Sequence, residues 1–308
     1  MEFNFTALGT ASALPTVNRY PSAHVLNVHG RLFLIDCGEA CQIQLRRYNM
    51  SFNKIEEIFI SHIHGDHVFG IFGLLSTFSM LGRTKELRIF APDGFGEILS
   101  FYLKIFGEGV KYNIAHIVLN TKEPTLIHET KSVRVYAFGL NHRVDTYGFL
   151  FKEKSPPRNI YKDKIEEVAL TRYEIARLKE GNDIIRRDGS VLESGKYTYQ
   201  PYMSRSFAYC TDTAPFAALS RYVQGVDLLY LEATFMDDMS EMAHDTYHST
   251  AAQSARCAIE AGVERLIIGH FSSRYKSVTP LLDQAREIFA ETYLAQEGIK
   301  FEVPLKIQ

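Results

Sequence analysis

The chain has 308 residues, roughly twice the usual domain length and enough to bury a large core without disulfides or a partner. Apolar residues make up 46% and charged residues 23%, a globular composition that excludes disordered, collagen-like and coiled-coil classes. The formal net charge of -2 argues against a surface coated in positive charge, so any polyanion is gripped locally.

Apolar runs stay well short of the roughly eighteen residues needed for a membrane span, and the start, MEFNFTALGT, lacks the basic and apolar segments of a secretory signal. A cytoplasmic protein without a membrane partner is the expectation. Cys37, Cys41, Cys210 and Cys257 include no CxxC pair, and in a reducing compartment they are expected to be core thiols.

In chain order, residues 3–8 read as a strand entering a turn at Gly9, and residues 25–28 and 32–35 as a hairpin around His29 and Gly30. A buried strand over 58–60 runs into His62. Apolar residues Val68, Ile71, Phe72, Leu75 and Phe78 then recur at helical spacing. A strand over 87–90, a helix over 98–106, and strands over 133–138 and 147–151 follow. Beyond the middle of the chain the pattern predicts strands at 206–210, 228–231 and 266–268. Helices are expected near 215–222, 250–261 and 279–295, with a last strand over 299–303. Strands covered by helices imply layered α/β architecture.

Residues 151–200 interrupt this alternation with Pro156 and Pro157, a charged helical stretch over 164–180 and a turn at Asp188 and Gly189. They carry 11 Lys and Arg against 9 Asp and Glu, a small basic excess in a chain that is otherwise acidic. An inserted arm fits this segment better than a second core.

The most informative residues are His62, His64, Asp66 and His67, in the pattern HxHxDH. Chance would supply that pattern in roughly one chain in a thousand of this composition. Neutral imidazoles and carboxylates suit divalent zinc, and four such groups in so tight a loop cannot all face one ion. Two ions are therefore expected. Further ligands are sought just past the predicted strands, where His142, Asp212 and His270 would gather at the same end of the sheet as the loop. Asp36, also at a strand end, suits a carboxylate that orients a ligating histidine. Apart from His248, the remaining histidines, His24, His29, His116, His128 and His244, are left as structural or exposed.

These residues resemble those of the tRNase Z family of metallo-β-lactamase-fold hydrolases, over nearly the whole chain. Further stretches sharpen the resemblance: LGTASALPT at 8–16, DCGEACQ at 36–42, EAT at 232–234, HST at 248–250 and HFSSRY at 270–275. It implies a four-layer αββα sandwich as a single domain over 1–308, with residues 151–200 as an inserted tRNA-binding arm. It also implies two Zn2+ per subunit. His62, His64 and His142 would hold the first, Asp66, His67 and His270 the second, and Asp212 would bridge them.

In that family the reaction removes 3′ trailers from precursor tRNA, leaving a 3′-hydroxyl tRNA and a 5′-phosphate trailer. Asp66 would orient or deprotonate the attacking water, and His248, supported by Glu232, would give a proton to the departing 3′ oxygen. The resemblance implies a homodimer. Within the arm, Arg172, Arg177 and Lys179, with Lys162, Lys164, Arg186 and Arg187, would contact RNA phosphates, although the family's glycine and proline-rich motif is missing. The loop PTVNRY at 15–20 keeps Pro15 and Arg19 of the family's PxKxRN pattern, and Ser272, Ser273 and Arg274 lie where a phosphate could bind. Two other readings use the same residues. One is a related phosphodiesterase or arylsulfatase acting on small esters; the other is a non-catalytic metal-binding module.

Overall fold

The computed structural model describes residues 1–307. Two units are distinguished: Met1–Lys152 with Ser206–Val303, and Glu153–Arg205 with residues 304–307.

The larger unit is built on two seven-stranded sheets. The first runs in the order Lys300–Glu302, Phe3–Gly9, Ala23–Val28, Arg31–Cys37, Ile55–Phe59, Leu87–Pro92, Ile114–Leu119. The second runs Thr292–Leu294, Leu266–Gly269, Leu228–Glu232, Ser206–Cys210, Tyr147–Glu153, Val133–Gly139, Thr125–Glu129. Pairing is parallel from Arg31–Cys37 to Ile114–Leu119 in the first sheet, and from Ser206–Cys210 to Thr292–Leu294 in the second. The central strands so paired, such as Arg31–Cys37, Ser206–Cys210 and Leu228–Glu232, are buried almost throughout because both faces are covered.

Alternation along each strand sets the layers. Phe33, Ile35 and Phe59 point between the sheets and meet Phe149, Phe151 and Phe207; Phe59 stacks on Phe90 at 4.7 Å and meets Phe151 edge-on at 5.4 Å. Leu34, Ile58 and Ile60 point the other way, under the helices Cys41–Arg47, Ile71–Met80 and Phe95–Phe106. On the far side, Ala208, Leu229, Leu231 and Ile268 carry the helices Ala251–Ala261 and Thr279–Arg286. The result is a four-layer αββα sandwich. Among the described residues no helix is long and apolar enough to cross a membrane.

Several elements differ from the sequence expectation. The helix expected over 279–295 ends at Arg286, and Thr292–Leu294 is a strand paired with Leu266–Gly269, so sheet pairing overrides helical periodicity. Only Leu219–Tyr222 of 215–222 is helical, and the stretch 164–180 is two helices, Lys162–Glu167 and Arg172–Lys179. They are parted at Ala169, whose φ is 48°, and the second opens on a capping box between Thr171 and Glu174. Strands Ile114–Leu119 and Thr125–Glu129 and helix Cys41–Arg47 were not anticipated. The smaller unit has its own apolar cluster of Leu170, Leu178 and Leu192, and a buried ion pair between Glu153 and Arg205 at 2.8 Å.

One charge cluster ties the two sheets together. The buried Glu57 carboxylate accepts from Arg31 at 2.6 Å and Arg88 at 2.7 Å within the first sheet, and lies 3.3 Å from His128 Nε2 on the second. Burial alone would raise the carboxyl's pKa, but His128 and Arg31 outweigh it and hold it at about 2. An unfolded Glu57 therefore binds a proton that the folded one refuses between pH 4.5 and about 2. Its stabilisation is present above that window and is lost as pH falls through it. Glu57→Gln is expected to lower unfolding stability at pH 7 by about 3 kcal/mol. It should also flatten the acid limb of stability against pH, measured by urea unfolding from pH 3 to 7.

Candidate metal centre

The carboxyl ends of the central strands converge at one edge of the sandwich, as loops in open α/β sheets do. Arg31–Cys37 delivers Asp36, Ile55–Phe59 leads into His62, His64, Asp66 and His67, Ser206–Cys210 leads to Asp212, and Leu266–Gly269 leads to His270. His142 follows Val133–Gly139. Asp36, Asp212, Tyr247 and His270 all adopt positive φ, at 55°, 35°, 60° and 59°. Such strain in non-glycine residues collects at functional sites.

Side-chain donor atoms of His62, His64, His142 and Asp212 lie within 4.8 Å of one another, as do those of Asp66, His67 and His270. Asp212 spans both groups. Its Oδ1 is 3.2 Å from His67 Nε2 and 3.2 Å from His270 Nε2, while its Oδ2 is 3.6 Å from His62 Nε2 and 3.9 Å from His142 Nε2.

Hydrogen bonds fix which nitrogen faces inward in His62, His67, His142 and His270. Asp36 Oδ2 accepts from His67 Nδ1 at 2.8 Å. Ser61 gives its hydroxyl proton to Asp36 at 2.9 Å and so accepts from His62 Nδ1 at 3.0 Å. The Tyr247 carbonyl accepts from His142 Nδ1 at 3.1 Å, and Thr234 Oγ1 stands 3.0 Å from His270 Nδ1 while donating to Glu232. Each of these rings therefore carries its proton on the outer Nδ1 and turns an Nε2 lone pair inward, the arrangement of metal-ligating histidines. His142 Nε2 is buried without a partner. His62 Nε2 faces His64 Nδ1 at 3.0 Å, and His67 Nε2 faces His270 Nε2 at 3.3 Å. Inward lone pairs crowded against two carboxylates fit divalent cations, zinc among them.

Charge perturbations divide the histidines, and a cation held at the Nε2 of His67 would take the place of a proton there. Burial lowers the pKa of His62 and His142, keeping them neutral. Burial also acts to lower His67, but Asp212, Asp66 and Asp36 prevail and raise it. The same histidines, His67 and His270 foremost, hold Asp66 and Asp212 below the usual carboxylate range although burial opposes this. Both acids are ionised.

Beside this cluster, His248 Nδ1 is 2.8 Å from Glu232 Oε1. Glu232 is fully buried and also accepts from the Thr213 N–H at 2.7 Å. Burial lowers the His248 pKa, yet the Glu232 charge and hydrogen bond carry it up to about 9. The His248 ring lies 5.3 Å from that of His142 and 5.5 Å from that of His270.

The other sequence-derived candidates are placed differently. Arg19 donates to the carbonyls of Ser272 and Tyr275 at 3.2 and 2.9 Å, tying two loops together. Arg274 lies over the Phe235 ring at 5.3 Å, with Nη1 3.0 Å from the Met242 sulfur, and Ser273 is exposed. Arg172, Arg177 and Lys179 belong to the smaller unit, where Arg177 pairs with Glu180 at 2.9 Å. Sequence reasoning did not find Ser61, Tyr209, Thr234 or Tyr247. Tyr209 donates to Asp36 at 2.7 Å across 173 residues of chain, a contact with no local signal. Thr234 lies within EAT, but nothing along that motif signals that its hydroxyl meets His270, 36 residues on.

Comparison with known proteins accords with this architecture. A family model described as anti-Pycsar protein Apyc1 matches residues 3–149, and one for a beta-lactamase superfamily domain matches residues 192–271. The ribonuclease Z of Cytophaga hutchinsonii is 44% identical over 308 residues, covering 100% of this chain and 98% of the relative. That of Bacteroides thetaiotaomicron is 42% identical over 298 residues, covering 97% and 94%. The crystal structure of human tRNase Z, short form, superposes with a TM-score of 0.70 at 24% identity over 98% of this chain and 99% of that one, a likeness of fold. On the identity and coverage of these full-length relatives, the chain belongs to the ribonuclease Z family and has the metallo-β-lactamase fold.

Proposed function

We propose that the chain is a cytoplasmic tRNA 3′-processing endonuclease working with two zinc ions per subunit. The observation that carries this reading is the convergence of seven donors next to His248, which is paired with the buried Glu232. His62, His64 and His142 would hold one ion, Asp66, His67 and His270 the other, with Asp212 between them. When bound, the ions supply a water nucleophile at neutral pH and neutralise phosphoryl oxygens.

The chain's own residues do the rest. Asp66 Oδ2 is held by the Ala13 N–H at 2.8 Å, which fixes the carboxylate that would orient or deprotonate the attacking water. Asp36 keeps the proton of His67 on Nδ1. Glu232 keeps His248 protonated and aimed, so that the imidazolium gives its Nε2 proton to the 3′ oxygen as the bond from phosphorus breaks. No serine or cysteine nucleophile is required. The products are a tRNA with a 3′ hydroxyl and a trailer with a 5′ phosphate. Arg172, Arg177 and Lys179 would contact phosphates of the folded precursor, an interaction weakened by salt, with Arg19, Ser273 and Arg274 nearer the loops at 15–20 and 270–275.

The assay is incubation of the purified protein with a trailer-bearing precursor and with bis(p-nitrophenyl) phosphate, mapping both new RNA ends. A single cut after the discriminator nucleotide is expected. Hydrolysis of the small diester with the precursor left whole would favour a small-ester phosphodiesterase, and inertness toward both would favour a non-catalytic module.

A homodimer accords with the surface. The helices Ile71–Met80 and Phe95–Phe106 are packed together through Ser76 and Tyr102, and Phe69, Met80, Phe101, Ile105 and Phe106 around them are more than half exposed. Exposed apolar side chains on two neighbouring helices are what an association surface would use. Phe101→Glu with Phe106→Glu is expected to convert a dimer to a monomer in light scattering, with circular dichroism unchanged.

A further inference from the structure

Tyr247, immediately before His248, has a φ of 60°. That region of backbone space is costly for a bulky side chain and free for glycine. Its carbonyl orients His142, a task any residue could perform, so the backbone bond explains the conformation and leaves the aromatic ring unexplained. Tyr247 is 39% exposed. The Arg143 guanidinium lies 5.7 Å from its ring centroid and is itself anchored by donating to the Asp245 carbonyl. Tyr247 and His248 line a cavity of about 440 Å³, with Asn141, Pro215 and Gln253 among its other walls. That volume is within the usual range for small-ligand sites.

We infer that Tyr247, backed by Arg143, is a stacking platform for the base of the nucleotide immediately 5′ of the scissile phosphate. The inference rests on the proposed reaction, because the 3′ oxygen that receives the His248 proton belongs to that nucleotide. Its ribose must then lie against His248, and its base reaches the adjoining cavity. An unpaired base at the end of a stem is recognised by an aromatic face and by amide groups along its edge; Asn141 and Gln253 supply the amides. Glycine would satisfy the backbone, so the tyrosine ring is present for what it touches.

The test uses precursors carrying either an intact or an abasic nucleotide 5′ of the cut, with kcat/KM on RNA divided by that on bis(p-nitrophenyl) phosphate. Tyr247→Leu keeps the left-handed cost and removes the aromatic face, Tyr247→Phe keeps both, and Tyr247→Gly removes both. For the wild type, the abasic site is expected to lower the ratio roughly 10- to 100-fold. The leucine and glycine variants should show a similar loss on the intact precursor and little further loss on the abasic one. Phenylalanine should behave as wild type, and glycine should raise the melting temperature. Leucine and glycine variants that match the wild-type ratio, or abasic and leucine losses that multiply, would overturn the platform alone. A wild-type protein that hydrolyses the small diester but leaves the intact precursor whole would contradict the proposed reaction instead.

Discussion

Asp212→Asn is expected to lower kcat on precursor RNA by about 10³-fold or more, with the bound metal falling from two ions per subunit to one or none. The expectation follows from position. Asp212 is the one side chain whose two oxygens face both donor groups, Oδ1 toward His67 and His270 and Oδ2 toward His62 and His142. Asparagine keeps the volume and the Oδ1 acceptor for the Thr211 hydroxyl at 2.7 Å, but removes the negative charge that would face both cations. Circular dichroism should therefore be unchanged while metal content and rate fall together. Wild-type rate with two ions retained would remove Asp212 from the bridging position.

His248→Ala separates proton donation from metal binding. Its side chain comes within 4.8 Å of the donor atoms of Asp212 and His270 but belongs to neither group that contains the HxHxDH loop, and its Nδ1 is committed to Glu232. The variant should retain two ions and lose roughly 10²- to 10⁴-fold in kcat on RNA, the usual contribution of a positioned general acid. On bis(p-nitrophenyl) phosphate the loss should be slight, because the nitrophenolate departs without a proton. Equal losses on the two substrates would contradict the role of acid. Glu232→Gln should act more mildly and move the basic limb of kcat to lower pH. The carboxylate raises the His248 pKa to about 9, and a neutral amide in its place favours the deprotonated ring.

The ligand set is readable in the sequence because most of it is local. His62, His64, Asp66 and His67 fall within six residues, and His142, Asp212 and His270 each follow a strand whose apolar pattern is plain. The orienting contacts are another matter. Ser61 meets Asp36 because their strands pair side by side in the first sheet, Tyr209 meets it because the two sheets pack face to face, and the carbonyl of Tyr247 meets His142 across 105 residues. No pattern along one strand encodes such meetings. The fold itself follows from alternation in the central strands, where both faces are covered. Its edges do not: Ile114–Leu119 and Thr125–Glu129 are partly exposed and lack a clean apolar period. At the other edge, Thr292–Leu294 continues an apolar spacing that reads as helix until Leu266–Gly269 pairs with it.

The central claim is that seven side chains form a dinuclear site. Anomalous diffraction at the zinc edge, from crystals of the protein purified with zinc, tests it most directly. Two peaks are expected, one among His62, His64 and His142 and one among Asp66, His67 and His270, each in contact with Asp212. A single peak, peaks elsewhere, or none would contradict the account.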